Sequence, residues 1–361
     1  MLVTRMITLD DIAALARGCA ILGTGGGGEV ESGSQMARRA ISVHGPVRLV
    51  RLDELPDDGL VLPLSGIGAP TVSHEMLHGT AEASLIRDAV EQALGAPAVA
   101  VMSAEIGGGN GVCPVAWAAE LGLPLVDADE MGRAFPEVQM TSMNVAGLPV
   151  DNVTMADVLG NVTFFRPVDW EWAETIGRAI SVAAGSHALM ADNVVTASRL
   201  RGALVEGTVT QAIRIGRAIE GAADPVTALV DELGARRLVT GKVVDVERTT
   251  GGGFVRGSVT IDGTGADVGR VLRIAIQNEN LVVFEGDGVL ACVPDLITVV
   301  DVHGADAIAT EMVRYGQRVC VLAWPCASIW RTPRGLEIAG PRAFGYDLDY
   351  VPVEEVADVS R

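Results

Sequence analysis

The sequence predicts an α/β protein: an N-terminal three-layer α/β domain with Gly-rich strand–helix loops, then a C-terminal β-rich domain with a helical lead-in. Three observations predict it. From residue 9 to about 165 one phrase repeats, a short apolar strand, a glycine-rich break and an amphipathic helix. After Arg236 the chain turns to short alternating apolar runs separated by Gly and Asp, the grammar of antiparallel strands. At roughly 150 residues per domain, 361 residues suit two domains.

The first phrase is CAILGTGGGGEVESGSQMARRAIS, read as a strand near Cys19–Leu22, a loop Gly23–Gly28 and a helix from about Glu29 to Ser42, with PVRLVRL as the next strand. The second begins GLVLPLSG, where Pro63, Gly66, Gly68 and Pro70 break the chain before a helix ending at Gly95. In the third, PAVAVMSAEIGGGNGVCPVAWAAELG, Pro114 suits the first turn of a helix, where its missing N–H costs nothing. Leu123–Val126 adds a strand ending in acids. Texture changes over 150–170, so a boundary is placed at 170: residues 1–170 form the N-terminal domain and 171–361 the C-terminal one, helical over 172–234 and β-rich over 236–350. Thr249–Phe254 reads as a hairpin loop.

Composition narrows the function. With 27 Lys+Arg against 46 Asp+Glu, a net charge of −19 and no basic run, nothing neutralises phosphates, so nucleic acid and anionic membranes are disfavoured and a small-molecule substrate is expected. Asp10, Asp11 and Arg17 interrupt the N-terminal apolar stretch and no run reaches a spanning length of about 18 residues, so a soluble, cytoplasmic protein is expected. Five scattered cysteines without a C-x-x-C pair argue against a disulfide scaffold or a zinc knot. The Ala-rich helical middle suits a homo-oligomer interface.

Several constellations carry chemistry. Gly23, Gly25 and Gly28 spell G-x-G-x-x-G, with Asp53 near the ribose-binding distance, the fingerprint of a dinucleotide site. The same glycines equally present N–H groups at a helix N-terminus to any anion or carbonyl. Asp127 and Asp129, at i and i+2 on a strand end, point to one side, and two such carboxylates want a metal, a cation or a shared proton. Glu105, followed by Gly107–Gly109 and Asn110, falls in the same crevice if the strands are neighbours. These acids also suit capping, Asp129 of the next helix and Asp127 of a turn. His74 and His78 flank Glu75 in HEMLH, an i, i+4 pair able to hold a divalent metal such as zinc; Asp127 and Asp129 are the other metal candidates. Cys113 precedes Pro114 at a helix N-terminus, where the dipole would lower its pKa and make a nucleophile. His187 and His303 stand alone and read as structural, and Gln277–Asn280 reads as a site rim or an interdomain face.

The order of motifs resembles the S-methyl thiohydantoin desulfurase family, once a domain of unknown function and sometimes joined to hydantoinase-like proteins. The resemblance rests on Gly23–Gly28, Gly68-Ala69-Pro70-Thr71-Val72 with Glu75, Glu105-Ile106-Gly107-Gly108 with Asn110, Asp127-Ala128-Asp129 and Gly132-Arg133-Ala134-Phe135-Pro136. Gly207-Thr208-Val209, Asn278-Glu279-Asn280, Val293-Pro294-Asp295 and Phe344-Gly345-Tyr346 extend it over almost the whole chain. It implies hydrolysis of a methylthio-substituted five-membered ring to a hydantoin with release of methanethiol. It also makes the protease-like HEMLH a coincidence, and it carries no catalytic role to any residue.

The residues themselves suggest the roles. Asp127 or Asp129 is the water-activating base or a metal ligand, and Glu105 its partner acid. The candidate substrate-binding set is Gly25, Gly26, Gly27, Glu75, Gly108, Asn110, Arg133, Asn278 and Glu279, with loop N–H groups and Asn110 on the ring carbonyl and Arg133 on an anionic tail. The alternatives are a NAD- or flavin-dependent oxidoreductase using Gly23–Gly28 and a non-catalytic partner subunit of a hydantoinase.

Overall fold

The computed structural model describes residues 5–68, 79, 81–251 and 254–356. Its first sheet is mixed. Strands β1 (Arg5–Ile7), β2 (Val47–Val50), β3 (Leu60–Gly68), β4 (Ala98–Ser103) and β5 (Leu125–Val126) lie in the order β1-β2-β5-β4-β3. The four strands β2, β5, β4 and β3 pair in parallel, and β1 closes the edge antiparallel. Along β3, Leu60, Leu62 and Leu64 enter one core while Val61 and Ile67 enter another, as the period-2 alternation of a strand buried on both faces requires. Helices Ile12–Leu22 (α1), Val30–His44 (α2), Glu82–Leu94 (α3) and Gly109–Leu121 (α4) cover the first face, and helix Trp170–Ala183 packs on the second, giving three layers. The α3 and α4 helices end on Gly95 and Gly122, both in the left-handed conformation that stops a helix.

Four local expectations differ from the structure. Cys19–Leu22 is the last turn of α1, not a strand; a four-residue apolar run cannot be told from buried helix by period alone. The β3 strand continues through Pro63 and Gly66 to Gly68. Helix α4 starts at Gly109, so Pro114 lies inside it, and the Asn110 carbonyl that Pro114 cannot bond accepts Ser103 Oγ at 2.9 Å instead. The stretch 172–234 is not wholly helical: His187–Asp192 is a strand beside β3, antiparallel to it, and brings Val153–Ala156 and Val162–Phe165 into the same sheet. The strands of this sheet therefore come from both sides of residue 170.

After helices Thr208–Ile219 and Pro225–Leu233, seven antiparallel strands between Arg236 and Trp324 form a separate sheet with its own apolar core of Val239, Ile261, Ile274 and Val321. The first two strands join as a hairpin through Gly251 and Phe254. Among the described residues no helix is long and apolar enough to cross a membrane.

Helix α1 crosses helix Thr208–Ile219 at backbone contact: a Cβ on Gly18 would fall on the Ala212 carbonyl, and one on Gly216 on the Ala14 carbonyl. Gly18→Ala and Gly216→Ala are each expected to lower stability by about 1–3 kcal/mol, read from the urea midpoint. Gly288→Ala, whose new methyl meets only the Glu285 carbonyl at 3.4 Å, is the neutral control. Unchanged midpoints in the first two would contradict the crossing.

Candidate active site

Two glycine loops build the site. In residues 23–28 the backbone takes positive φ at Thr24, Gly25, Gly27 and Gly28, and a Cβ on Gly27 would strike the Gly107 carbonyl. A Cβ on Gly108 would strike Gly27 in turn, so the two loops interlock backbone to backbone. Gly108 N donates to Cys19 O at 2.7 Å, Gly109 N to Gly28 O at 3.0 Å and Asn110 N to Gly27 O at 3.2 Å. The N–H groups at the start of α4, expected to greet an anion, are thus spent on loop carbonyls. At the start of α2 the Glu29 carboxylate caps Glu31 N and, at 3.0 Å, Ser32 N. A carboxylate sits where a pyrophosphate would, the loop follows a helix rather than a strand, and Asp53 pairs with Arg51 on the surface at 2.9 Å. The dinucleotide fingerprint therefore lacks its structural context.

The other side of the loop docks the second domain. Thr24 O accepts Asn280 N at 2.8 Å and Asn280 Nδ2 at 2.9 Å, and Gly25 O accepts Thr310 N at 2.9 Å. Between the domains lies a cavity of about 140 Å³, at the C-terminal ends of β3 and β4. Open α/β sheets place ligands at such strand ends. Gly26, Gly27, Glu105, Asn110, Asp192 and Glu279 are among the residues that line it.

Glu105 is fixed by its surroundings. Asn110 Nδ2 donates to Glu105 Oε1 at 2.6 Å, while Asn110 Oδ1 accepts Gly66 N at 2.8 Å, which locks the amide's orientation. Phe135 N lies 3.4 Å from the other carboxylate oxygen. Burial pushes the Glu105 pKa up to about 7; the Asn110 and Phe135 bonds oppose the rise and the Asp129 and Asp192 charges add to it. The His187 ring packs where Gly66 has no side chain: a Cβ there would sit 3.1 Å from its Cε1.

The other expected residues divide. Asp127 faces away from the cavity and caps helix Thr208–Ile219, accepting Thr210 N at 2.9 Å and Thr210 Oγ1. Asp129 is wholly buried, and its oxygens accept Ile106 N at 2.8 Å, Met131 N at 3.1 Å and Gly132 N at 2.8 and 3.0 Å. Burial pushes its pKa up to about 7 against those donors. Its job is to hold the 106 and 131–132 turns, with its oxygens committed to backbone rather than to a metal. Arg133, expected to grip a substrate tail, is fully buried and donates to Pro294 O at 2.8 Å, Asp295 O at 2.9 Å, Thr24 Oγ1 at 2.9 Å and Ala134 O at 3.0 Å. It clamps the two domains and stacks on the Phe135 ring at 4.4 Å.

Glu279 enters the cavity from the second domain, with its side chain over Gly26, where a Cβ would collide with it. Burial, helped by Glu105, pushes its pKa well above the carboxylate range against the pull of Arg133. Asn278 lines the cavity at φ +56, its Oδ1 accepting Val255 N at 2.9 Å. Cys113 also lines it, but burial pushes its pKa up to about 12, so a thiol stands where the helix dipole suggested a thiolate. His74, Glu75 and His78 lie outside the described residues. Among the described residues no three His, Cys, Asp or Glu side chains converge as metal ligands. Asp192 and His187 line the cavity unforeseen, with the buried Glu130 outside the lining; the one signal in the sequence was an apolar run, HALMAD, ending in an acid.

A solved crystal structure of a protein from Chromobacterium violaceum superposes with a TM-score of 0.78 at 24% identity, covering 97% of this chain and 100% of that one, which shows the shared fold. No curated protein sequence matches. Residues 10–167 match the S-Me-THD-like N-terminal domain and residues 168–353 the S-Me-THD-like C-terminal domain. The two matches together span nearly the whole chain, which therefore belongs to the S-Me-THD-like family.

Proposed function

We propose that the chain is a hydrolase that releases methanethiol from an S-methyl thiohydantoin-like ring to give a hydantoin. The observation that carries this reading is Glu105: a buried carboxyl, aimed by Asn110 and poised near neutrality, in a cavity of about 140 Å³. A cavity of about 150 Å³ accommodates benzene, so a five-membered ring is the right size.

The carbon that bears the methylthio group lies between two ring nitrogens and is electrophilic. The Glu105 carboxylate takes a proton from water as its oxygen adds to that carbon, then gives the proton to sulfur as the carbon–sulfur bond breaks. Glu279, kept protonated by burial, donates a hydrogen bond to the ring carbonyl, a role open to a neutral acid but not to a carboxylate. Gly26, with no side chain, leaves the room in which the Glu279 carboxyl sits at the cavity.

Purified protein is expected to release methanethiol from an S-methyl thiohydantoin, measured with a thiol reagent. Glu105→Gln keeps the shape and loses the base, so kcat should fall by about 10²–10⁴-fold; undiminished turnover would remove Glu105 from the mechanism. Because the ionised form is the base, kcat/KM should rise with pH through about 7. Asp127→Ala should leave turnover intact and cost about 0.5–2 kcal/mol of stability in thermal or urea unfolding, the loss of a helix cap; loss of activity at full stability would return Asp127 to the site.

A further inference from the structure

Two buried carboxyl groups at the cavity, Asp192 and Glu130, are not used by the reaction above. Asp192 ends strand His187–Asp192 and lines the cavity; Glu130 follows Asp129 and lies behind it, outside the lining. Their relative exposures are 1% and 0%. Backbone bonds set Glu130 beside the Glu105 strand: its N–H donates to Ala104 O at 3.1 Å and its carbonyl accepts Ser142 N at 2.7 Å. The two carboxyl groups bear directly on one another's protonation. Among the described residues neither Glu130 oxygen nor Asp192 Oδ1 has a hydrogen-bond partner. Two buried, unpartnered carboxylates side by side would repel, and a proton held between them removes that cost. Among the described residues the charged groups that bear on the pair are the Asp129 and Glu105 carboxyls, both of the same sign.

We propose that Asp192 is a second catalytic residue and Glu130 its positioning, proton-holding partner, the pair passing one shared proton to a ring nitrogen as water adds. The proposal rests on the hydrolase reading. As the water oxygen bonds to carbon, the carbon–nitrogen double bond opens; Glu130 passes the shared proton to Asp192 as Asp192 protonates that nitrogen. On collapse the new hydroxyl returns a proton through Asp192 to Glu130 as the carbonyl forms, while Glu105 protonates the departing methylthiolate. Water's two protons end on nitrogen and sulfur, and both acids are restored. Burial raises the pKa of both acids, Glu130 well above the carboxylate range and Asp192 to about 6.

The test uses the full chain with Glu130→Gln and Asp192→Asn. Infrared spectroscopy of the resting protein at neutral pH should show a protonated-carboxyl band that loses amplitude in Glu130→Gln. Asp192→Asn should lower kcat by about 100-fold or more with KM unchanged, and Glu130→Gln should shift the pH profile of kcat. An undiminished band in Glu130→Gln, or wild-type kcat in Asp192→Asn, overturns the proposal; if Glu130→Gln fails to fold, the kcat of Asp192→Asn decides. Absence of methanethiol from the wild-type protein sinks the hydrolase reading and the transfer with it, whereas release by wild type beside an undiminished band sinks the pair alone.

Discussion

The contact on which the rest depends is the interlock of residues 23–28 with residues 107–109. It is made of backbone, because a Cβ on Gly27 or Gly108 would collide with the opposing chain. It consumes the N–H groups of residues 108–110, the set that an isolated helix start would offer to a ligand. The same loop turns its other carbonyls, at Thr24 and Gly25, to Asn280 and Thr310 of the second domain. One glycine-rich turn thereby aims helix α4, places Asn110 beside Glu105 and brings Glu279 across the gap.

Around that seam the protein buries carboxyl groups that make no salt bridge among the described residues, although the Arg133 charge bears on Glu279. Glu105, Asp129, Glu130, Asp192 and Glu279 are all below 9% exposed, and the buried guanidinium nearest them, Arg133, spends its hydrogen bonds on carbonyls and one hydroxyl. An unpaired buried carboxylate is costly, and the cheaper outcome is to hold a proton. Burial therefore raises the pKa of every one of them, Glu105 and Asp129 to about 7 and Asp192 to about 6, the range in which a carboxyl can both take and give a proton. The same force on Cys113 has the opposite chemical consequence, since a protonated thiol is a poor nucleophile.

Much of the fold was legible because period and punctuation survive in one dimension. Alternating runs marked β2, β3, β4 and the seven strands after residue 236, and Gly95 marked a helix end. Motif context failed where two short elements share a pattern: CAIL serves α1, and HALMAD, set among Ala-rich helices, is a strand between β3 and Val153–Ala156. That second misreading hid Asp192. Glu105 and Asn110 were singled out as an acid and an amide beside glycines at a strand end, and the structure sets them side by side in the cavity lining. Asp127 and Asp129 looked equally chemical, yet both serve backbone donors, one on a helix start and one on two turns.

By itself the sequence determined the α/β plus β-rich plan and the family, since each is written in local spacing and motif order. Only the tertiary structure decided which acids face a cavity and which face backbone, because alternation fixes the side of a strand but not what lies there. It alone converted Arg133 from a substrate ligand into a clamp, as its partners Pro294 and Asp295 lie more than 150 residues away in sequence. Protonation too was decided in three dimensions, since a carboxyl's pKa follows from the solvent it loses and the charges it meets, neither of which adjacent residues specify.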